Sequence, residues 1–162
     1  MLPRTGILAF MDDESREQLT AYGQFLPAED AQVIIEEAKD QTCLYIVVSG
    51  KFNVTTHVSG RDIALDTVGE GDCLGEVAVF QPGPASATVT SVGVGQLWYM
   101  GVDSLQQFLL DWPHAGSALL FGINTILSRR LKRANTIIKA NEIVPGFLSV
   151  RSKKRVEGAQ LS

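Results

Sequence analysis

The sequence predicts a mainly β domain, a sandwich or closed roll, with flanking helices and one long C-terminal helix. Between residues 24 and 102, short runs rich in β-branched and aromatic residues alternate with Gly-containing turns, and no helical stretch separates successive hairpins. Past Asp103 the apolar period changes from two to three or four and holds to about Ala140. At 162 residues the chain has the length of one domain and can bury roughly two-thirds of its unfolded surface. Its core therefore needs neither a disulfide nor a structural metal.

Residues 12–22 form the first predicted helix. Asp12 or Asp13 caps it, Glu14 and Glu17 suit the positive end of the helix dipole, Leu19 and Tyr22 supply a buried side, and Gly23 ends it. The β runs follow at 32–35, 43–49, 51–58, 63–68, 87–92 and 96–102. Ser49-Gly50, Ser59-Gly60-Arg61 and Val92-Gly93-Val94-Gly95 are read as the turns joining neighbouring runs, because Gly accepts backbone angles that other residues resist. A short helix over 103–110 is capped by Asp103 or Ser104. Trp112-Pro113 opens the last helix, with Pro at a first-turn position where its missing N–H costs nothing.

That last helix runs over about 113–140. Leu120, Ile123, Leu127, Leu131, Ala134 and Ile138 recur at steps of three and four, and Leu119, Ile126 and Ile137 widen the stripe. At about 1.5 Å per residue, its second half overshoots a small roll. The stripe thus fits the β domain on one side and the same helix of a second chain on the other, which predicts a two-fold homodimer. The expected organisation is one domain over 1–140, with the roll at about 24–102 and helices at about 103–140, followed by a basic, flexible tail over 141–162.

Charge divides the chain in a similar way. Residues 1–128 hold 5 Lys/Arg and 16 Asp/Glu, whereas residues 129–162 hold 9 and 2. No apolar run approaches the ~20 residues that span a bilayer, and Met1-Leu2-Pro3-Arg4 opens no signal peptide, so the chain reads as soluble and cytoplasmic. Cys43 and Cys73 lack metal or redox spacing and read as buried free thiols. His57 and His114 are too few and too far apart for a metal centre, so no metal is expected. No Ser/His/Asp set, paired acid–base site or P-loop is visible, which argues against an enzyme.

The most specific stretch is Gly69-Glu70-Gly71-Asp72-Cys73-Leu74-Gly75-Glu76-Val77-Ala78-Val79-Phe80, followed after a short gap by Ala85-Ser86-Ala87-Thr88-Val89. Physically it is a strand-to-helix corner. Gly69 and Gly71 permit a tight turn, and Gly75 opens a one-turn helix whose free N–H groups suit an anion. Glu76 would repel a phosphate, unless it accepts hydrogen bonds from hydroxyls such as those of a ribose. The plainer reading, that Glu76 caps the small helix and Gly75 turns the chain, stands beside it.

This stretch resembles the phosphate-binding cassette of the cyclic-nucleotide-binding domain family, which includes catabolite-activator-like regulators. The upstream run Leu44-Tyr45-Ile46-Val47-Val48-Ser49-Gly50-Lys51-Phe52-Asn53-Val54 is similar to the family's strand-turn-strand signature. The resemblance covers about residues 10–140. It implies a double-stranded β-helix, a jelly-roll-type β-roll, with the long helix as a dimer seam. It also implies a cyclic nucleotide, cAMP or cGMP, or another small anionic ligand. That ligand would be held by Leu74, Gly75, Glu76, Val77, Ala78, Ala85, Ser86 and Ala87, with base contacts from Asn124, Thr125 and Ser128.

One residue departs from the pattern. Nucleotide-binding members place an Arg immediately before the Ser-Ala pair, where it neutralises the phosphate, and the matching residue here is Ala85. Between Lys51 and Arg129 the chain holds one other cation, Arg61, which reads as a solvated hairpin residue. The implied function is a stand-alone sensor module with weak or altered ligand binding. The regulators carry a helix-turn-helix domain after the long helix, for which residues 141–162 are too few. The rival readings are a ligand-free dimeric subunit that docks a protein partner and, through the basic C-terminal segment, contact with nucleic acid. The missing helix-turn-helix domain weighs against the latter, and no membrane role is expected.

Overall fold

The structure, a computed structural model, describes residues 1–142 in two units, Met1–Ile126 and the part beginning at Leu127. The first unit is an antiparallel β-roll with helices. A 3-10 turn at Gly6–Leu8 leads to α1 (Asp13–Thr20), then β1 (Gln24–Ala28), β2 (Val33–Ile35), β3 (Asp40–Gln41), β4 (Cys43–Val58), β5 (Arg61–Val68) and β6 (Cys73–Leu74). Next come α2 (Glu76–Phe80), β7 (Gly83–Pro84), β8 (Thr88–Gly101), α3 (Val102–Asp111) and α4 (Pro113–Glu142). The main sheet runs β1-β8-β4-β5, with β2 also on β8 and β6 also on β4, while β3 and β7 pair separately.

Two of the expected turns are instead bulges. The runs 43–49 and 51–58 are one strand, β4, and the runs 87–92 and 96–102 are one strand, β8. The two pair along most of their length, and the register shifts where Ser49–Lys51 faces the stretch between Val92 and Gln96. Gly50 has φ +89°, and a β-carbon there would stand 2.8 Å from Gly95 Cα. A left-handed Gly suits a bulge as well as a turn, so the same residues bend both strands together without ending either. The hairpin at Ser59–Gly60 is a genuine two-residue turn, both residues having positive φ, and it joins β4 to β5. β1, absent from the predicted runs, carries Pro27 and pairs only with β8. An edge position tolerates a residue with no N–H to donate.

The helix starts follow local chemistry. Asp12 caps α1 by accepting from the Ser15 N–H at 2.8 Å. α3 begins one residue earlier than expected, with Gly101 as its cap and no side-chain cap bond, while Asp103 sits in its first turn. The core gathers Leu44, Ile46, Val47, Phe52, Leu97 and Trp98, all fully buried. Burying such side chains contributes about 1.5–3 kcal/mol each. Arg16 is also buried; it donates to the Met11 carbonyl at 2.8 Å and pairs with Asp13. Cys73 is buried, Cys43 is half-buried, and both are free thiols.

Within the first unit, α4 buries Ala115, Leu119, Ile123 and Ile126. Gly122 lies so close to the 3-10 turn that a β-carbon there would stand 1.8 Å from the Ile7 carbonyl oxygen. Phe121 remains exposed and meets Phe10 edge to face at 4.8 Å. In the second unit the helix continues to Glu142, and Leu131 and Ile137 are exposed. Asn141 and Glu142, the first two residues of the predicted tail, belong to α4, and the rest of that tail, 143–162, lies outside the described residues. Among the described residues no helix is long and apolar enough to cross a membrane.

Candidate functional site

The corner motif is stitched to the central strand before it turns. The Gly71 N–H donates to the Val47 carbonyl at 2.9 Å, the Val47 N–H returns to the Asp72 carbonyl at 2.9 Å, and the Asp72 carboxylate accepts from the Gly69 N–H at 3.0 Å. β6 then lays Cys73 against Ile46 and Leu74 against Tyr45. Gly75 follows in the left-handed region at φ +74° and is the N-cap of α2. A β-carbon there would meet the Cys43 carbonyl oxygen at 2.4 Å and the Gln41 amide nitrogen at 2.6 Å, so only Gly fits this corner. Gln41 holds that wall in place by donating to the Cys43 carbonyl at 2.8 Å.

α2 carries the next predicted residues, Glu76, Val77 and Ala78. It is a single turn, with the Val79 N–H donating to the Gly75 carbonyl at 3.3 Å. Glu76 is only 6% exposed, whereas Val77 and Phe80 are about half exposed. A buried carboxyl at the first position of a helix benefits from the free N–H end. The chain then runs through Gln81 and Pro82 into β7, which pairs with β3.

Ala85 is held between two backbone bonds. Its N–H donates to the Lys39 carbonyl at 2.8 Å, and its carbonyl accepts from the Ala38 N–H at 2.9 Å. Its side chain packs, half-buried, on the hydrophobic cluster that contains Leu74, Val89, Val47, Phe52 and Leu97. Leu74, the first residue of the predicted site, belongs to the cluster on which Ala85 packs. Ser86 is exposed and Ala87 half-buried, ahead of β8.

The other predicted residues are not drawn in. Asn124 and Thr125 are exposed on α4, outside that cluster, and the Thr125 hydroxyl donates to the Phe121 carbonyl at 2.9 Å. Ser128, in the second unit, is exposed as well. Both readings of these residues, base contact and dimer seam, expect burial, whereas in the single chain all three are exposed. Arg61 is exposed at the β4–β5 turn. Apart from this site, a cleft of about 230 Å³ is lined by Asp12, Gln18, Asp111, Trp112 and His114, among others.

Lys39, Gln41 and Tyr45 were not legible as neighbours of the motif. Lys39 and Gln41 are brought there by β3 and β7, and Tyr45 by its pairing with β6; all three of these strands have two residues, too short to leave a period in the sequence. The one local sign is the turn before them, where the Lys39 N–H closes on the Glu36 carbonyl at 3.2 Å with Ala38 at φ +65°. Burial, with Cys43 beside it, raises the pKa of the Tyr45 phenol above its ordinary value. The Tyr45 ring stacks on Tyr99 at 5.7 Å.

Comparison with known proteins agrees with this architecture. The CRP-like cAMP-activated global transcriptional regulator of Mycobacterium tuberculosis is 29% identical over 136 residues, which make up 83% of this chain and 59% of the regulator. The chain thus spans less than two thirds of that relative's length. The N-terminal domain of a transcriptional regulator from Streptomyces coelicolor A3(2) superposes with a TM-score of 0.66 at 29% identity, covering 83% of this chain and 92% of that one. The Thermus thermophilus catabolite activator protein gives a TM-score of 0.75 at 21% identity, over 85% and 63% of the two chains, a likeness of fold. The first two of these are named as transcriptional regulators. The profile of the cyclic nucleotide-binding domain family matches residues 26–111, from β1 through α3 and across the whole corner motif. The chain belongs to the cyclic nucleotide-binding domain family.

Proposed function

We propose that this chain is a regulatory sensor module, not an enzyme, whose cassette binds a cyclic nucleotide or another small anionic ligand more weakly than a site with a full complement of charge. The carrying observation is the preserved Gly75–Glu76 corner, with the preceding Leu74 in the cluster on which Ala85 packs, at the position where the family resemblance expects a cation. The parts present suit a ribose and a phosphate. Glu76 can accept from ribose hydroxyls, and the exposed Ser86 can donate to a phosphate. Removing one partner of a buried charge pair costs about 2–5 kcal/mol. At about 1.4 kcal/mol per decade, a micromolar site then weakens to roughly tens of micromolar to millimolar. The Mycobacterium tuberculosis relative is described as cAMP-activated, which makes cAMP the first probe and cGMP the second.

The signal would be a population shift, in which the ligand favours one packing of the roll against its helices. A route for it exists within the first unit. The Ile7 N–H donates to the Gly71 carbonyl at 2.9 Å, just ahead of the cassette, while the Ile7 carbonyl abuts Gly122 on α4. The module acts as a cytoplasmic homodimer through the helix over 113–140, which would cover Asn124, Thr125 and Ser128. A folded part over 1–140 belongs to the same reading.

Calorimetric titration with cAMP and cGMP tests the ligand. Wild type should bind in the tens-of-micromolar to millimolar range and Ala85→Arg at least tenfold tighter. Tight wild-type binding, or no gain in Ala85→Arg, would refute the one-charge deficit. A second reading, a ligand-free dimeric subunit that docks a protein partner, draws on the exposure of Val77 and Phe80 beside the cassette. Absence of binding by both wild type and Ala85→Arg would favour it.

A further inference from the structure

We propose that Lys39 supplies the cassette's cation, from the opposite strand and in place of a residue at position 85. This rests on the reading of the cassette as an anion site and adds a specificity-determining residue to it. β3 and β7 set Asp40 across from Pro84, and one step further along the Ala85 N–H bonds to the Lys39 carbonyl while the Ala85 carbonyl bonds to the Ala38 N–H. Ala85 thus faces Ala38 and Lys39 together, a bulge at the end of the ladder with Ala38 at φ +65°, so Lys39 stands beside the residue that lacks a charge. Diagonal neighbours across a strand pair lie about 7–8 Å apart, within reach of a long side chain such as the four-carbon Lys stem.

The surroundings leave Lys39 available for this role. Its side chain is exposed, and it takes part in none of the ion pairs among the described residues. Of the nearby carboxylates, Glu37 is committed to the Thr56 hydroxyl at 2.6 Å and the His57 N–H at 2.8 Å. Glu36 and Asp40 are exposed to solvent. The turn closed by the Lys39 N–H on the Glu36 carbonyl fixes the backbone from which the side chain springs. The ligand class follows from the chemistry. One flexible point charge suits a single phosphodiester charge, held without the two-pronged geometry of a guanidinium and more sensitive to salt.

The test is titration of the whole chain with cAMP and cGMP, extended to millimolar ligand by ligand-observed NMR, at low and at physiological salt. The proposal expects Lys39→Ala to weaken binding about tenfold, as befits a charge-assisted hydrogen bond. It also expects Lys39→Arg to retain binding, Arg61→Ala to leave it unchanged, and added salt to weaken wild type more than Lys39→Ala. Equal binding by wild type and Lys39→Ala would overturn the assignment and leave the sensor reading intact. So would a wild type that binds nothing at millimolar ligand while Ala85→Arg binds. If neither wild type nor Ala85→Arg binds, the sensor reading fails and the assignment fails with it.

Discussion

A β-carbon on Gly122 would stand 1.8 Å from the Ile7 carbonyl oxygen, and this sets two effects against each other. In an open helix, Gly→Ala gains up to about 1 kcal/mol from propensity. Here the obstacle is backbone, so the helix and the N-terminal turn must separate. Gly122→Ala should therefore lower the melting temperature by several degrees, and a rise would show that this contact yields easily. Gly75→Ala meets a backbone oxygen at 2.4 Å and a left-handed φ together. The unfavourable angle alone costs about 1–3 kcal/mol, so thermal unfolding should register a larger loss than for Gly122→Ala. The site was legible in sequence at this scale where the residue type is demanding. Gly75 and Glu76 stand out by chemistry alone. Lys39 does not, because its relevance comes from a partner 46 positions later, Ala85, brought close by a two-residue ladder.

At the scale of elements, the turn before β3 is tied to β4 by one carboxylate. Hydrogen bonds from the Thr56 hydroxyl and the His57 N–H hold the Glu37 carboxyl below its ordinary value of 4.5. A carboxyl depressed in the folded state contributes stability that is present above the unfolded value and is lost as pH falls through the folded one. Glu37→Gln should therefore melt below wild type near pH 7, and the gap should close as pH drops under about 4.5. A gap that persists unchanged into acid would show that the carboxylate charge is not what matters. The strands show what local pattern can and cannot carry. Alternation placed β-structure correctly over most of β4 and β8, but Gly50 and Gly93–Gly95 mark either a turn or a bulge, and only the facing strand decides which. β1 was missed because Pro27 and a mostly exposed pattern hide its pairing.

Considered as a whole, the chain buries its N-terminal apolar residues, Leu2, Ile7, Leu8 and Met11, yet leaves Phe121, Leu131 and Ile137 exposed along its longest helix. The proposed homodimer accounts for those three. Sedimentation equilibrium should give twice the chain mass for wild type and a monomer for Leu131→Glu, since a carboxylate buried in the seam has no partner. A monomeric wild type at micromolar concentration would remove the seam. The fold class was legible because strand and helix periods divide cleanly near residue 102. The closing of the cassette on one cluster was not, since it depends on contacts between distant segments. The central place of β4 also has a kinetic side. It pairs locally with β5 through the Ser59–Gly60 turn, but its ladder to β8 joins residues some tens of positions apart. Such distant pairing makes for slow folding, whereas the β4–β5 hairpin closes only a short loop. If the proposed ligand site between β6 and β8 orders after that hairpin, substitutions there should quicken unfolding while leaving the refolding rate nearly unchanged.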